Sequence, residues 1–237
     1  MEFNQSIIKI IRQRYSCRTY QKKEIQKDAF QQLSDCASLS QDGPLGTACR
    51  FEVIAATDGD SKSLRGLGTY GFIKNASGFI VGATKDAPKS LEDFGYLMEK
   101  IILYATDLGL GTCWLGGSFT RSRFAKKISA EKNEILPSVT SFGYISGRPR
   151  VFDKIIRQEA SSDRRRPWNW LFFDEEFGIS LPEQAAGDYA TPLEMVRLGP
   201  SASNLQPWRL IKEENVWHFY LHRKLGYRDS SAAKFLK

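Results

Sequence analysis

Histidine is almost absent from this chain: His218 and His222 are the only two among 237 residues. They flank Phe219, Tyr220 and Leu221 in a stretch that alternates like a strand, which puts both imidazoles on one face. No third ligand lies nearby in the sequence, so no metal centre is expected. Cysteine is also sparse. Cys17, Cys36, Cys49 and Cys113 make no C-x-x-C pair and no metal-ligand spacing, and they read as reduced thiols, mostly packed inside. Long apolar runs are missing too. The best candidate, Ile101 to Ala105, is bounded by Lys100 and Asp107, far short of the roughly 18 residues a membrane helix needs. Met1 to Gln5 carries neither the basic region nor the apolar region of a secretory signal. A cytoplasmic location without a membrane partner is the expectation. No Ser/His/Asp triad or carboxylate pair invites a catalytic assignment, and Glu92, Asp93 and Glu99 read as the solvated face of a helix.

What the chain does contain is ordinary core-forming material. Apolar residues make up 41% and charged residues 26% of it, enough to bury a core in one large domain or two small ones. The net charge of +7 is spread along the chain, with one tight cluster at Arg164-Arg165-Arg166. Zinc-finger spacing, an RNP-type aromatic motif and a long basic arm are all lacking. Nucleic acid is therefore a weak candidate partner.

Apolar spacing predicts helices over Ser6 to Tyr15, with Ile7, Ile8, Ile10 and Ile11 as its stripe, and over about Lys27 to Ala37. Strands are predicted over Phe51 to Ala56, Phe79 to Ala83 and Phe142 to Ile145. Ser90 reads as the cap of the longest helix, which runs to Leu108 and stops at Gly109. Val151 to Trp170 turns basic, polar and aromatic and reads as an extended crossover. Beyond it, a helix opening at Thr191-Pro192, a loop over Pro200 to Pro207, and strands over Trp208 to Lys212 and Trp217 to His222 repeat the earlier helix, loop and strand order. An internal duplication follows from that order.

Three segments carry candidate chemistry. In Arg14-Tyr15-Ser16-Cys17-Arg18 two forked guanidiniums lie four residues apart around a hydroxyl, which suits an anionic group; a solvated basic helix end is the alternative. Gly199-Pro200-Ser201-Ala202-Ser203-Asn204-Leu205-Gln206-Pro207-Trp208-Arg209 offers hydroxyls and amides on a stiffened loop; a turn bonded only to its own backbone is the alternative. In Leu108-Gly109-Leu110-Gly111-Thr112-Cys113-Trp114-Leu115-Gly116-Gly117 the G-x-G follows a helix and Trp114 stands where a third glycine would be needed. That rules out a dinucleotide fingerprint.

In this order, and together with Phe142-Gly143-Tyr144 and the run Arg164 to Arg166, these segments resemble the nitroreductase family of FMN-dependent NAD(P)H oxidoreductases. They are most similar to its single-chain branch, in which two nitroreductase-like halves are fused. The resemblance runs from about Ile7 to Tyr227. It implies an α+β, nitroreductase-like fold with two related α/β halves forming an intramolecular pseudo-dimer. Residues 1–150 would be the first half, 151–188 an extended crossover and 189–237 a second, incomplete half. It also implies FMN held between the halves. Arg14, Ser16 and Arg18 would lie at the phosphate and ring edge, with Leu115 and Gly116 where backbone approaches the ring. Arg165 and Arg166 would close on the phosphate, and Ser201, Ser203, Asn204 and Gln206 would come from across the interface.

Under this resemblance the chemistry belongs to the flavin. NADH or NADPH would donate hydride in a ping-pong cycle that ends on a small-molecule electron acceptor such as a nitroaromatic or quinone. A degenerate, non-catalytic flavin-binding protein is the alternative. Ser38 to Pro44 departs from the S-x-S-N-x-Q-P-W pattern, and nothing before Thr191 in the second half reproduces R-x-S-x-R. One flavin site per chain is therefore expected, in a monomer whose halves stand in for a dimer, with a homodimer still allowed. A counterpart of the Leu91 to Leu108 helix is expected after Tyr227, and the stretch from Arg228 to Lys237 is too short and too polar to replace it.

Overall fold

Phe94, Leu97, Met98, Ile101, Ile102 and Ala105 recur at three- and four-residue spacing, and in the computed structural model they are the buried face of a helix over Ser90–Asp107. The structure describes residues 2–39, 42–55, 64, 67–147, 158, 161 and 164–223. The chain divides into two units, Met1–Arg150 and Val151–Lys234. The first holds α1 (Ile7–Gln13), α2 (Lys27–Leu39), β1 (Cys49–Ala55), β2 (Gly78–Lys85), α3 (Ser90–Asp107), β3 (Gly111–Leu115), α4 (Arg121–Lys127), β4 (Glu134–Ile135) and β5 (Val139–Gly143). The second holds β6 (Phe172–Asp174), α5 (Ala190–Leu198), β7 (Trp208–Glu213) and β8 (Val216–Leu221), with short 3-10 turns between them.

In the first unit the strands form an antiparallel sheet in the order β1-β2-β5-β3, with β4 added to the end of β2. Strand β2 is buried from Gly78 to Thr84 because both faces of the sheet are covered. Ile80 and Phe142 pack with the apolar sides of α2 and α3. The alternate residues Phe79, Val81 and Val139 pack with Phe119 and Phe124 on the other side. Gly82 sets how closely α3 can approach: a Cβ there would lie 2.5 Å from the Phe51 ring and 2.6 Å from the Phe94 ring. In the second unit β6, β7 and β8 form a three-stranded sheet, β6 parallel and β8 antiparallel to β7. Leu171, Phe172, Leu193 and Leu210 make its core. Helix, loop and strand follow one another as α2 to β1 in the first unit and as α5 to β7 in the second.

Several local expectations are corrected. Helix α1 is shorter than the expected Ser6 to Tyr15, and within its apolar stripe Ile10 is buried, whereas Ile7 and Ile8 are exposed. Ser90 is the first residue of α3 and not its cap, a position taken by Lys89 in a left-handed conformation without a side-chain bond. The third predicted strand begins earlier, at Val139, because Thr140 and Ser141 are fully buried despite their hydroxyls; Ile145 is left to an isolated bridge with Tyr20. Strand β3 occupies glycine-rich sequence that reads as a helix exit, and β6 lies past the basic stretch Val151 to Trp170 but within the expected 151–188 crossover. Most of Val151 to Trp170, and the tail beyond residue 223, lie outside the described residues.

Asp93 and Glu99 are not solvated. Asp93 is fully buried, and its carboxylate accepts the backbone N–H groups of Leu45 at 2.8 Å and Thr47 at 2.7 Å. Burial works to raise its pKa, but the two amide donors outweigh it and hold the carboxyl below its ordinary value. A group depressed in the folded state contributes stability above the unfolded carboxylate pKa, and that contribution is lost as pH falls through the folded value. Asp93→Asn sets an amide N–H against one of those donors, so its melting temperature should lie well below the wild type at neutral pH. The gap should narrow as pH is taken below about 4. Thermal melts of both proteins across that range check this, and a gap that stays constant contradicts it.

Candidate functional site

Arg14 follows the last turn of α1, its N–H donating to Ile10 O at 2.9 Å, and the chain then turns extended. The segment from Ser16 to Tyr20 is laid along the sheet: Ser16 bridges Thr112 of β3, and Cys17 N–H donates to Thr112 O at 2.8 Å. Tyr20, fully buried, locks it down, its hydroxyl donating to Cys17 O at 2.6 Å and meeting Ser141 Oγ at 2.9 Å. This anchoring decides where Arg14 goes. Its side chain is only 5% exposed, with Nε 3.5 Å from Glu99 Oε1. Glu99 Oε2 accepts the indole N–H of Trp114 at 2.7 Å. Burial raises the Glu99 pKa, against the pull of Arg14 and of the indole bond. Nη1 of the same guanidinium is buried and has no partner among the described residues.

The other first-unit candidates lie along the same strand. Ser16 and Arg18 are half-buried, and Arg18 Nη1 reaches Ser16 O only at 3.5 Å. Leu115 is buried at the end of β3. Next to it, Gly116 has nothing within 4 Å of where a Cβ would stand, so its backbone is open to an approaching group. A cleft of about 220 Å³ runs beside the segment, lined in part by Gln13, Arg14, Gly111, Thr112 and Ile145.

In the second unit the serine-asparagine-glutamine loop and the arginine run are brought together. Asn204 Oδ1 accepts from Arg165 Nη1 at 2.7 Å, while its amide donates to Ser161 O at 2.8 Å and Arg164 O at 2.9 Å. Gln206 Oε1 accepts from Arg166 N–H at 2.8 Å, and Gln206 N–H donates to Ser201 Oγ at 2.9 Å. The loop keeps Ser203, Asn204 and Gln206 in the left-handed region, at φ of 51°, 52° and 50°, each a cost of about 1–2 kcal/mol for a side chain with a Cβ. Strain of that kind persists only where surrounding bonds over-determine the backbone. Arg166 lies over Trp170, 5.5 Å from the ring centroid. Burial, and then Arg166 nearby, lower the pKa of Arg209.

A family model described as "Putative TM nitroreductase" matches residues 6–226. The chain belongs to the nitroreductase family. No curated protein matches it. Among solved structures, a "putative nitroreductase" from Thermotoga maritima aligns with 100% of this chain and 82% of its own at 18% identity and a TM-score of 0.57. A nitroreductase family protein from Clostridium difficile aligns with 69% of this chain and 94% of its own at 22% identity and a TM-score of 0.49. A "putative nitroreductase" from Exiguobacterium sibiricum, solved in complex with FMN, aligns with 65% of this chain and 97% of its own at 18% identity and a TM-score of 0.47. This nitroreductase thus has the α+β fold of an oxidoreductase family. Among its described residues no helix is long and apolar enough to cross a membrane.

The residues present fit a flavin mononucleotide in one respect and are already engaged in another. A buried guanidinium N–H group without an acceptor, Nη1 of Arg14, suits a phosphate or carbonyl oxygen. The amides of Asn204 and Gln206, by contrast, have their donors and acceptors occupied by the chain itself. Sequence reasoning overlooked Glu99 as the partner of both Arg14 and Trp114. It lies off the apolar stripe of α3, so periodicity carries no signal for it; the only hint is that a buried arginine requires a counter-charge.

Proposed function

We propose that this nitroreductase binds one FMN per chain and is an NAD(P)H oxidoreductase. Bound FMN would supply hydride acceptance from NADH or NADPH and, in a separate half-reaction, reduction of a small acceptor such as a nitroaromatic or quinone. The unpartnered, buried Nη1 of Arg14 within R-x-S-x-R is the observation that carries this reading. Arg14, Ser16 and Arg18 offer donors to the phosphate and ring edge, and Leu115 and Gly116 present backbone to the ring. Arg165 and Arg166 supply further positive charge. Ser201, Asn204 and Gln206 hold that arginine run in place, and Ser203 offers an exposed hydroxyl. In this reading residues 1–150 are the first half, 151–188 the connection and 189–237 the second half of a cytoplasmic protein.

The absorbance spectrum of the purified protein before and after adding FMN tests the binding, and steady-state NAD(P)H oxidation with a quinone acceptor tests the chemistry. Bound flavin with turnover is the expected result. Bound flavin that supports no turnover on any acceptor points to a degenerate flavin-binding protein. A colourless preparation that takes up no FMN overturns the proposal.

A further inference from the structure

The Glu99 carboxylate is oddly placed for a helix-surface residue. It sits between the Nε edge of Arg14, 3.5 Å away, and the indole N–H of Trp114, 2.7 Å away, and three-quarters of its side chain is withdrawn from solvent. The indole holds it more closely than the guanidinium does. The Arg14 contact is a loose ion pair, and it leaves Nη1 of the same guanidinium without an acceptor. Arginine has five donors in a rigid fork, so a single carboxylate at one edge cannot satisfy it. It can, however, cancel most of its charge.

We propose that Glu99 is the built-in competitor of the cofactor phosphate for Arg14, a counter-ion that balances the buried guanidinium in the flavin-free protein and weakens its attraction for the phosphate once FMN arrives. This rests on the reading that Arg14 faces the phosphate of FMN. A carboxylate close to a bound dianion opposes it through space, and a low local dielectric strengthens that opposition. Glu99 therefore sets the strength of cofactor binding without touching the cofactor. The isoalloxazine carries no comparable charge, so riboflavin, which lacks the phosphate, is indifferent to Glu99. Among the described residues the groups that face this carboxyl are Arg14, from the segment after α1, and Trp114, from β3.

Glu99→Gln keeps the size of the side chain and an acceptor for the indole but removes the charge. Titrated by flavin fluorescence quenching, it should bind FMN about tenfold more tightly than the wild type, the effect of one like charge removed nearby, with riboflavin affinity unchanged. FMN affinity that is unchanged or weakened, or an equal change for both flavins, overturns the proposal. A measurement on the wild type covers the case in which the variant does not fold. The Trp114 indole N–H resonance, assigned with Trp114→Phe, reads the ionisation of the carboxyl it donates to. Its pH midpoint should lie higher in the FMN complex than in the riboflavin complex, and identical midpoints sink the idea. Failure of the underlying reading looks different: a wild type that binds neither flavin, or Arg14→Gln that still prefers FMN over riboflavin as strongly as the wild type.

Discussion

Arg14→Ala lowers the affinity for FMN by about 100-fold, roughly 2.7 kcal/mol, if the guanidinium makes a charge-assisted contact in a largely buried site. The loss should fall on FMN and spare riboflavin. Quenching titrations with the two flavins measure it directly, and an equal loss for both would mean that the substitution has merely loosened the first unit. Some loosening is expected as well. With the guanidinium gone, Glu99 keeps only the Trp114 indole and stands as a partly buried carboxylate without a counter-ion. Such a break in a fully buried pair costs about 3–5 kcal/mol; with a quarter of Glu99 still exposed, about 2 kcal/mol is the reasonable size. The pH dependence has a definite sign. The Glu99 pKa already lies above its ordinary value because of burial, with Arg14 and the indole pulling the other way, and losing Arg14 raises it further. A carboxyl raised in the folded state favours folding while protonated and disfavours it as pH climbs from the unfolded value, about 4.3, through the folded one. The variant should therefore be closer to the wild type in stability at pH 5 than at pH 8. Urea unfolding at the two values checks this, and the opposite order would mean that Glu99 is not the group left exposed.

How much of this was legible beforehand differs between elements. Helix α3 was, because its apolar residues repeat at helical spacing over five turns. Strands β1, β2, β7 and β8 were, because apolar or β-branched runs bounded by turn residues leave little choice. Strand β5 was misplaced because Thr140 and Ser141, which look like loop residues, sit fully buried in mid-sheet. Strand β3 was overlooked because local glycine content outweighed the pairing with β5, a long-range contact that no window of sequence contains. The same distinction holds at the candidate site. Arg14, Ser16 and Arg18 announce themselves by type and spacing. Glu99 and Asp93 do not, because what buries each of them, the Trp114 indole and Arg14 in one case and the Leu45 and Thr47 amides in the other, arrives from elsewhere in the chain. The loop from Ser201 to Gln206 was recognised by its polar density, but its side chains turn inward to the arginine run, and only the fold reveals that.

That inward turn makes Gln206→Ala the most damaging single change expected in the second unit. Gln206 is 3% exposed. Its Oε1 accepts from Arg166 N–H at 2.8 Å, and its amide donates to Asn204 O at 3.2 Å and to Arg164 O and Asn204 Oδ1 at 3.3 Å. Truncation strands the Arg166 N–H and the Asn204 backbone carbonyl where water has poor access, while Arg164 O and Asn204 Oδ1 keep other donors; unsatisfied groups cost about 1–3 kcal/mol each when fully buried. Because Arg166 and Asn204 are half-buried, a total of about 3 kcal/mol is expected, with an unchanged denaturant slope. The backbone adds nothing to that cost, because alanine at φ of 50° keeps the left-handed strain that glutamine already carries. Gln206→Gly removes the same bonds but tolerates that conformation, so it should lose up to about 1 kcal/mol less than the alanine variant. If the two variants unfold at the same urea concentration, the loop has relaxed and the network did not hold it. If the alanine variant matches the wild type, the network never anchored the arginine run. With the expected losses in place, FMN retention should fall in both variants, because Arg165 and Arg166 owe their positions to Asn204 and Gln206.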